Sequence, residues 1–335
     1  MKIAILTPTF SYYSGIDRVV ELQAKNFSKK DEVTVFALEA GLKPENFKLV
    51  VLGMPKNPFF QRLYRLFFFL DFSKIKSAAE KLKDFDIVIS HFYPMNLIAS
   101  YAKKKYNAEY IYHNHGVGYS KLFNNPLERL YIWLFAFFNK LSLKNADSVV
   151  SISRFLQQEL KKETGLDSKI VYDKIDKSRF KIGIDGKRIR KRLKIKENEK
   201  LLLFVGRLSP HKNVHNLLKM FEIISTINHN IKLIIIGRPT FKSYYNRLKK
   251  AANKNVIFKE FVDDKELPHY YAACDLYVTA SLWEGFNLPI AEAQACGKKV
   301  VAFDVCSHPE VVIDGILVKK YDYKGFANAI IKLLK

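Results

Sequence analysis

The chain has 335 residues, of which 48% are hydrophobic and 27% charged, and its formal net charge is +23 at pH 7. This length suits two domains, and this apolar content fills sizeable cores, which excludes a globally disordered chain. The excess of 56 Lys and Arg over 33 Asp and Glu indicates an anionic partner: a phosphate-bearing small molecule, an anionic membrane surface or nucleic acid. A solvated lysine-rich surface is the alternative explanation for many of these bases.

Three cysteines, Cys274, Cys296 and Cys306, show no CxxC spacing and cannot all pair with one another. This usage fits a reducing compartment, so we expect a cytoplasmic protein. The first ten residues, MKIAILTPTF, lack the long apolar stretch and cleavage site of a signal peptide and predict a buried strand.

From the N-terminus onward, short β-branched runs alternate with helical patterns. The predicted strands cover residues 2–7, 32–38, 86–90, 108–114, 148–153, 201–206, 232–237, 256–262, 276–280 and 299–304. The predicted helices cover residues 16–29, 74–83, 153–164, 213–228, 241–252 and 288–296. This alternation predicts βα units and parallel sheets.

Two aromatic segments, residues 57–72 and 125–143, are rich in Phe and Leu and carry the bases Arg62, Arg65, Arg129 and Lys140. Neither has the roughly 18 uninterrupted apolar residues of a membrane-spanning helix. Both fit helices that lie on an anionic bilayer surface with their bases at headgroup level. Two thickly buried helices are the alternative, because core helices share this composition.

The alternation breaks once, where residues 173–200 turn polar and basic. We therefore predict an N-terminal Rossmann-like domain at 1–172, a basic linker region at 173–200 and a C-terminal Rossmann-like domain at 201–335. Doubly wound parallel sheets bind ligands at the carboxyl ends of their strands, so we expect the site in the cleft between the two domains.

The stretch VGRLSPHKNV (205–214) follows a predicted strand and precedes a predicted helix. Gly206 permits a tight exit from the strand, while Arg207 and Lys212 lie across the turn. Arg grips phosphate bidentately and Lys adds a flexible point charge, and both would face an anion near the start of the next helix. Two surface bases on a loop are the alternative interpretation.

The stretch WEGFNLPIAEAQACG (283–297) holds Glu284 and Glu292 with seven residues between them. Pro289 favours a helix that begins here, and the N–H groups of such a helix start bind phosphate. Carboxylates do not bind phosphate, but they accept hydrogen bonds from vicinal hydroxyls. One ligand with phosphates in the middle and hydroxyls at both ends fits this layout, as in a nucleotide-diphosphate sugar. An acid/base pair for glycoside hydrolysis would leave Arg207 and Lys212 unexplained.

Four stretches together make up one further pattern. They are SYYSGIDRVVE (11–21), HNHGV (113–117), VGRLSPHKNV (205–214) and the long segment 267–304. They supply a Gly-containing first loop, an HG after a middle strand, a GR…K segment and an E-x7-E motif. This combination resembles the retaining glycosyltransferases of family 4, which have the GT-B fold, over nearly the whole chain. The resemblance implies transfer of a sugar from a UDP- or GDP-sugar with retention of configuration and without a metal ion or other cofactor.

The resemblance also implies roles for the charged residues. Arg207 and Lys212 would hold the diphosphate of the donor and stabilise the leaving nucleotide. Glu284 would accept hydrogen bonds from hydroxyls of the donor sugar, and Glu292 from those of the ribose. His115 would lie beside the reacting sugar, as a hydrogen-bond partner or a polarising group.

The remaining donor-binding positions follow from the same resemblance. After Gly285, the N–H groups of Phe286, Asn287 and Leu288 would lie near the sugar and phosphates. The base would pack near Arg238, Phe261 and Val262, and Gly15 would let the first loop approach the donor closely. Some positions depart from the family pattern. Ser14 precedes Gly15 where GG is common, Asp17 stands where Glu is common, Asn287 stands where GFG has its second glycine, and Asp173 with Lys174 stands where NG is expected. Asn tolerates the left-handed conformation better than most residues.

Other histidines give weaker signals. His211 and His215 are spaced like the ligands of a zinc helix, but Lys212 stands at the position of the glutamate and opposes a metal. We expect His91 to be structural or to face the acceptor rather than to be catalytic. For His113 we expect a position facing away from His115.

We therefore predict a retaining glycosyltransferase whose first domain binds the acceptor, a glycan, lipid or protein. The basic aromatic segments favour an acceptor that is lipid-linked or at a membrane surface, and a peripheral position on the inner membrane face. A nucleotide-sugar epimerase of the same fold is an alternative. A basic nucleic-acid-binding protein, from a different class, would explain the charge, but neither RNP-like aromatics nor a helix-turn-helix signal favours it.

Overall fold

A computed structural model describes residues 1–11, 14–143 and 145–335. The chain divides into two compact units, each with a parallel sheet of its own. Unit 1 comprises Met1–Lys121 and Asn125–Lys174, and unit 2 comprises Leu122–Asn124 and Ile175–Lys335.

Unit 1 is built on a seven-stranded sheet in which every pairing is parallel. Its strands are β1 (Lys2–Phe10), β2 (Glu32–Ala40), β3 (Lys48–Val51), β4 (Ile87–Ser90), β5 (Glu109–Asn114), β6 (Ser148–Ser151) and β7 (Lys169–Ile170). Their spatial order is β3-β2-β1-β4-β5-β6-β7. The order changes direction between β1 and β4, the type of switch point at which such sheets bind ligands.

Helices cover both faces of this sheet. They are α1 (Gly15–Phe27), α2 (Pro58–Leu66), α3 (Phe72–Glu80), α4 (Met95–Tyr106), α5 (Pro126–Leu141) and α6 (Arg154–Thr164). Val20 and Ala24 of α1 pack with Ile5 of β1 in one core, whereas Ala79 of α3 and Ile98 of α4 belong to a second. Burial on both faces explains why the central strands are continuously apolar rather than alternating.

The helices α2 and α5 contact each other and expose many of their apolar side chains. Leu66 is the buried residue of α2, and Phe135 and Asn139 are the buried residues of α5. We call the following exposed residues, together with the bases between them, the α2–α5 surface: Phe59, Phe60, Leu63, Phe67, Leu70, Phe72, Leu127, Leu130, Trp133, Phe137 and Leu141, which are between 37% and 77% exposed. The alternative of two thickly buried helices is therefore wrong. Within the described ranges, no helix is both long enough and apolar enough to cross a membrane.

Unit 2 repeats the same topology with six parallel strands. They are β8 (Lys200–Val205), β9 (Ile231–Ile236), β10 (Val256–Lys259), β11 (Leu276–Thr279), β12 (Val300–Asp304) and β13 (Gly315–Lys319), in the order β10-β9-β8-β11-β12-β13. Its switch point lies between β8 and β11.

The helices of unit 2 are α7 (Lys187–Arg192), α8 (Val214–Ile227), α9 (Lys242–Ala251), α10 (Leu267–Ala273), α11 (Leu288–Ala295), α12 (His308–Val311) and α13 (Tyr323–Leu334). The segment predicted as a basic linker contains α7, which packs against α10. Arg188 and Arg192 both pair with Glu266, at 2.8 and 2.9 Å, and Arg190 pairs with Asp275 at 3.3 Å. Part of this basic run therefore has partners within unit 2.

The predicted fold class is confirmed: both units are doubly wound parallel α/β sheets. All ten predicted strands are present, with ends that differ by a few residues. The sequence did not indicate β3, β7 or β13, which lie at the sheet edges, or the helices α4, α7, α10, α12 and α13. These edge strands are short or flanked by polar residues, so they lack the long apolar run that marks a central strand.

Candidate functional site

The carboxyl edge of the unit 2 sheet brings together most of the residues singled out in the sequence. Gly206 and Arg207 follow β8, the loop with Glu284 follows β11, and His308 follows β12. Since β8, β11 and β12 are neighbours in the sheet, the loops at their carboxyl ends meet at one edge.

Lys212 and Glu284 form a close ion pair. The Nζ of Lys212 lies 2.6 Å from Oε1 and 2.7 Å from Oε2 of Glu284, and the two side chains are only 14% and 8% exposed. Lys212 ends a short 3-10 turn just before α8, whereas Glu284 lies in the loop between β11 and α11. The predicted phosphate-binding cation and the predicted sugar-binding carboxylate thus neutralise each other directly.

Arg207 and Lys212 flank the same partly buried histidine. Burial, with the positive charges of Lys212 and Arg207 as further causes, lowers the pKa of His211 well below its usual value. Arg207 itself is exposed, immediately after Gly206. A Cβ on Gly237 would lie 1.8 Å from the carbonyl oxygen of Gly206, so the ends of β8 and β9 approach each other closely only because residue 237 is glycine.

The start of α11 is shaped by Asn287, which has φ 72° and ψ 65° in the left-handed region. Its side chain turns toward the start of α12, where Nδ2 donates to Nε2 of His308 at 2.9 Å. The Nδ1–H of His308 donates to the carbonyl of Phe303 at 2.7 Å, which fixes the ring as an acceptor toward Asn287. The Asn287 side chain makes no capping hydrogen bond to α11; the N–H of Ile290 donates instead to the backbone carbonyl of Asn287 at 3.0 Å.

Gly285, Phe286 and Leu288 are all buried at this turn. Glu292, one turn into α11, is 2% exposed, and its Oε2 accepts the hydroxyl of Tyr271 at 2.7 Å. The two glutamates therefore lie in different environments: Glu284 faces a cation and Glu292 faces a buried phenol.

The predicted base-binding residues lie at the ends of β9 and β10. The guanidinium of Arg238 lies 5.6 Å from the ring centre of Phe261, a cation–π contact. Phe261 is half exposed, and Val262 beside it is partly buried. The structure thus brings Arg238 and Phe261 together, as a stacking surface for a base would require.

Asp17 of α1 holds Thr9 and Ser11 at the end of β1. Gly15 is the first residue of α1, with Ser14 as its N-cap. The buried carboxylate of Asp17 accepts hydrogen bonds from the N–H and Oγ of Ser11, at 3.0 and 2.7 Å, and from the hydroxyl of Thr9 at 2.9 Å. Burial raises the pKa of Asp17 to about 6, although these donors oppose the shift.

Three histidines cluster at the carboxyl ends of β4 and β5. His91, His113 and His115 are all buried, and the ring of His91 lies 4.7 Å from that of His113 and 5.2 Å from that of His115, centre to centre. The expectation that His113 faces away from His115 is wrong, because residues two apart on a strand share one face.

A chain of hydrogen bonds fixes the protons in this cluster. The Nε2–H of His91 donates to Oε1 of Gln23 at 2.7 Å, so Nδ1 of His91 accepts from Nε2–H of His115 at 3.0 Å. Burial is the main cause that lowers the pKa of His91 well below its usual range, of His113 to about 4 and of His115 to about 3. All three rings are therefore neutral at pH 7.

Asp173 closes the cluster on the side of His115. Its Oδ2 lies 4.0 Å from Nδ1 of His115, and its side chain is only 6% exposed. Burial raises the pKa of this carboxyl to about 8.

Sequence reasoning missed several residues of these sites: Gln23, His91 and His113 as members of one cluster, and Tyr271 and His308 as partners of Glu292 and Asn287. A usable signal existed for the histidines, since His91 follows the predicted strand 86–90 and His113 lies near the end of the next predicted strand, 108–114. Tyr271 and His308 lie 21 residues from their partners, and nothing in the sequence spacing marks those pairs.

The comparisons with known proteins fit this architecture. Residues 13–178 match the family model Glycosyltransferase Family 4, and residues 185–335 match the model Glycosyl transferases group 1. An uncharacterised glycosyltransferase of Methanocaldococcus jannaschii is 29% identical over 75% of this chain and 67% of its own length. The O-antigen chain mannosyltransferase RfbU of Salmonella typhimurium is 28% identical over 58% of this chain and 53% of its own length.

Among solved structures, HepE of Anabaena in complex with UDP and glucose has a TM-score of 0.78 and 21% identity, covering 100% of this chain and 90% of that one. For several curated relatives, the two above included, the match spans only 32% to 67% of their own length.

The two Rossmann-like units, with their polar loops at the carboxyl ends of the strands, define a GT-B protein. The chain belongs to the glycosyltransferases of the family 4 type, because the two family models together cover nearly all of it.

Proposed function

We propose that the protein transfers a sugar from a nucleotide-diphosphate sugar to an acceptor hydroxyl with retention of configuration. The observation that carries this proposal is the Lys212–Glu284 pair beside the start of α11. It places a cation, a carboxylate and helix N–H groups at one carboxyl edge. A phosphate, a sugar hydroxyl and a second phosphate oxygen are the natural partners of these three groups. The complexes of HepE with UDP and with UDP-glucose support a donor of this class.

In the proposed reaction the bond between the anomeric carbon and the diphosphate breaks, and its electron pair stays on the diphosphate oxygen. Arg207 and Lys212 stabilise the charge that develops there, which is electrostatic catalysis by groups already in position. The acceptor oxygen bonds to the anomeric carbon from the same face, and its proton passes to the departing diphosphate. The two side-chain cations supply the neutralisation that a metal ion supplies in other transferases, so the chemistry needs no metal.

The ion pair with Glu284 has a further role in this scheme. A donor phosphate competes with Glu284 for Lys212, so donor binding frees the carboxylate to accept a sugar hydroxyl. Glu292, held by Tyr271, then accepts hydroxyls of the ribose, and Arg238 and Phe261 stack on the base. His115 takes its place beside the reacting sugar, and Gly15 allows the first loop to approach it.

We further propose that unit 1 docks on the cytoplasmic face of an anionic membrane, where a lipid-linked acceptor is held. The α2–α5 surface supports this, since Trp133 is 53% exposed and Phe137 45% exposed on a helix that also carries Arg129 and Lys140. Large exposed apolar patches mark interaction sites, and aromatic side chains with flanking bases suit the headgroup boundary.

A panel of UDP-, GDP- and ADP-sugars in a thermal-shift assay tests the donor site, because a ligand that binds only the folded state raises the melting temperature. One nucleotide class should raise it, and the shift should shrink in Lys212→Met. The absence of a shift with every nucleotide and nucleotide-sugar would overturn the donor assignment.

Flotation with vesicles tests the membrane proposal independently. Trp133→Ser with Phe137→Ser removes about 2 kcal/mol of apolar transfer energy, given partial exposure, and should weaken binding to phosphatidylglycerol vesicles about 30-fold. The matched control is Ile227→Ser with Ile313→Ser, which removes side chains that are 66% and 90% exposed on unit 2. Equal binding of the two double variants to phosphatidylglycerol vesicles would contradict the proposal. So would flotation of the wild-type chain at low salt that is equal with phosphatidylglycerol and with neutral phosphatidylcholine vesicles.

A further inference from the structure

The three-histidine cluster of unit 1 has the donor set of a transition-metal site. One ring nitrogen from each of His91, His113 and His115 lies within 4.8 Å of the other two. Zinc bound by nitrogen at 2.0–2.1 Å in tetrahedral geometry sets neighbouring ligand nitrogens roughly 3.3 Å apart. The Nδ1 of His91 and the Nε2 of His115 are already 3.0 Å apart. Only the ring of His113 needs to move inward.

The surroundings of the rings also match those of metal ligands. Metal-bound histidines donate their second N–H to a carbonyl or a carboxylate, which orients the ring. His91 does this through Nε2–H to Gln23, at 2.7 Å. The second nitrogen of His115 faces the carboxyl of Asp173, at 4.0 Å.

The contacts of His113 are a second, independent observation in favour of a metal site. Its Nδ1 is buried and has no hydrogen-bond partner among the described residues, while its Nε2 lies at a long 3.5 Å from Nε2 of Gln23. A buried ring nitrogen without a partner is costly and calls for a ligand.

We propose that His91, His113 and His115 form a binding site for a divalent transition-metal ion of the zinc class. Neutral imidazoles suit Zn²⁺, Co²⁺, Ni²⁺ or Cu²⁺, whereas Mg²⁺ and Ca²⁺ prefer oxygen ligands. The site lies in unit 1 and shares no ligand with the proposed diphosphate-binding groups of unit 2. A bound ion occupies Nε2 of His115 and withdraws that ring from the sugar, which makes the metal a reversible inhibitor. This last consequence rests on the proposed function, whereas metal binding does not.

Cobalt titration of the tag-free, metal-stripped chain tests the site directly. We expect one Co²⁺ per chain with the intense d–d absorption of a four-coordinate ion, and displacement of that ion by Zn²⁺. His113→Asn should abolish the absorption, and Gln23→Ala should weaken binding about 10–100-fold, because it removes an orienting partner and no ligand. The control His229→Asn, an exposed histidine of unit 2, should bind like the wild type.

Two results would overturn the proposal: no four-coordinate Co²⁺ spectrum in the wild-type chain, or equal metal affinity in the wild type and in folded His113→Asn. Circular dichroism establishes that each variant is folded, and Gln23→Ala keeps the comparison informative if the histidine variant does not fold. The functional readout is the inhibition of nucleotide release by Zn²⁺. A chelator should reverse this inhibition, and Gln23→Ala should not show it at the same metal concentration. Failure of all donor binding would count against the transferase proposal alone, since the cobalt spectrum does not depend on it.

Discussion

Substitution of Lys212 or Glu284 should lower both the free energy of unfolding and the rate of turnover, and a double variant separates these two effects. Removing one partner of a buried ion pair typically costs 3–5 kcal/mol, because it leaves an uncompensated charge. With side chains 14% and 8% exposed, Lys212→Met and Glu284→Gln should each lower the free energy of unfolding by about 3 kcal/mol. The double variant leaves no charge unpaired. Since the coupling between contacting residues reaches about 3 kcal/mol, it should also lose about 3 kcal/mol rather than about 6.

Turnover should not recover in that double variant. Loss of a group that stabilises charge in the transition state lowers the rate about 10²–10³-fold, and a restored balance of charge does not replace it. The assays are urea unfolding and release of nucleoside diphosphate from the donor. A matched control exists in Lys232→Met, which breaks the pair with Glu199 at 3.2 Å, with side chains 20% and 12% exposed, in the same unit. It should lower stability and leave turnover unchanged. Additive losses of stability, or turnover within tenfold of wild type in Lys212→Met, would refute the reasoning.

Three further predictions concern buried polar groups. Asn287→Gly should cost about 1 kcal/mol through the lost hydrogen bond to His308, and Asn287→Ala about 2–3 kcal/mol because it adds left-handed strain; equal urea midpoints for the two would contradict this. Burial raises the pKa of Asp17 to about 6 from its ordinary 3.8, so the folded chain binds this proton more tightly and stability from Asp17 falls as pH rises between these values. The free energy of unfolding of Asp17→Asn should therefore rise relative to that of the wild type by up to about 3 kcal/mol between pH 4 and 7. A difference between the two that does not change with pH would count against this. Tyr271→Phe removes a donor to Glu292 and should raise the KM for the donor with little change in kcat, since the ribose lies away from the breaking bond; a selective fall in kcat would argue otherwise.

The fold was predictable because long apolar strands such as β1 and β9 are covered on both faces and leave a plain signal in the sequence. The candidate site residues of unit 2 could be singled out for a different reason, since Arg207, Lys212 and the two glutamates fall in motifs of fixed spacing; their roles remain predictions. Edge strands gave no such signal: β7 has only two residues, Lys169 and Ile170.

Contacts between distant loops could not be predicted. Lys212 and Glu284 are 72 residues apart, and their ion pair depends on β8 and β11 being neighbours in the sheet. The histidine cluster similarly depends on the pairing of β4 with β5, which brings His91 beside His113. The exposure of the α2–α5 surface was left open by composition, because buried and membrane-facing helices use the same apolar residues.

Nucleotide release tests the central claim most directly. The donor that gives the largest thermal shift should be converted to nucleoside diphosphate by the wild-type chain in the presence of a lipid-linked acceptor. In Glu284→Ala the rate should fall at least about 100-fold while circular dichroism shows an intact fold. Release that is undetectable in the wild type, or equally fast in Glu284→Ala, would contradict the account.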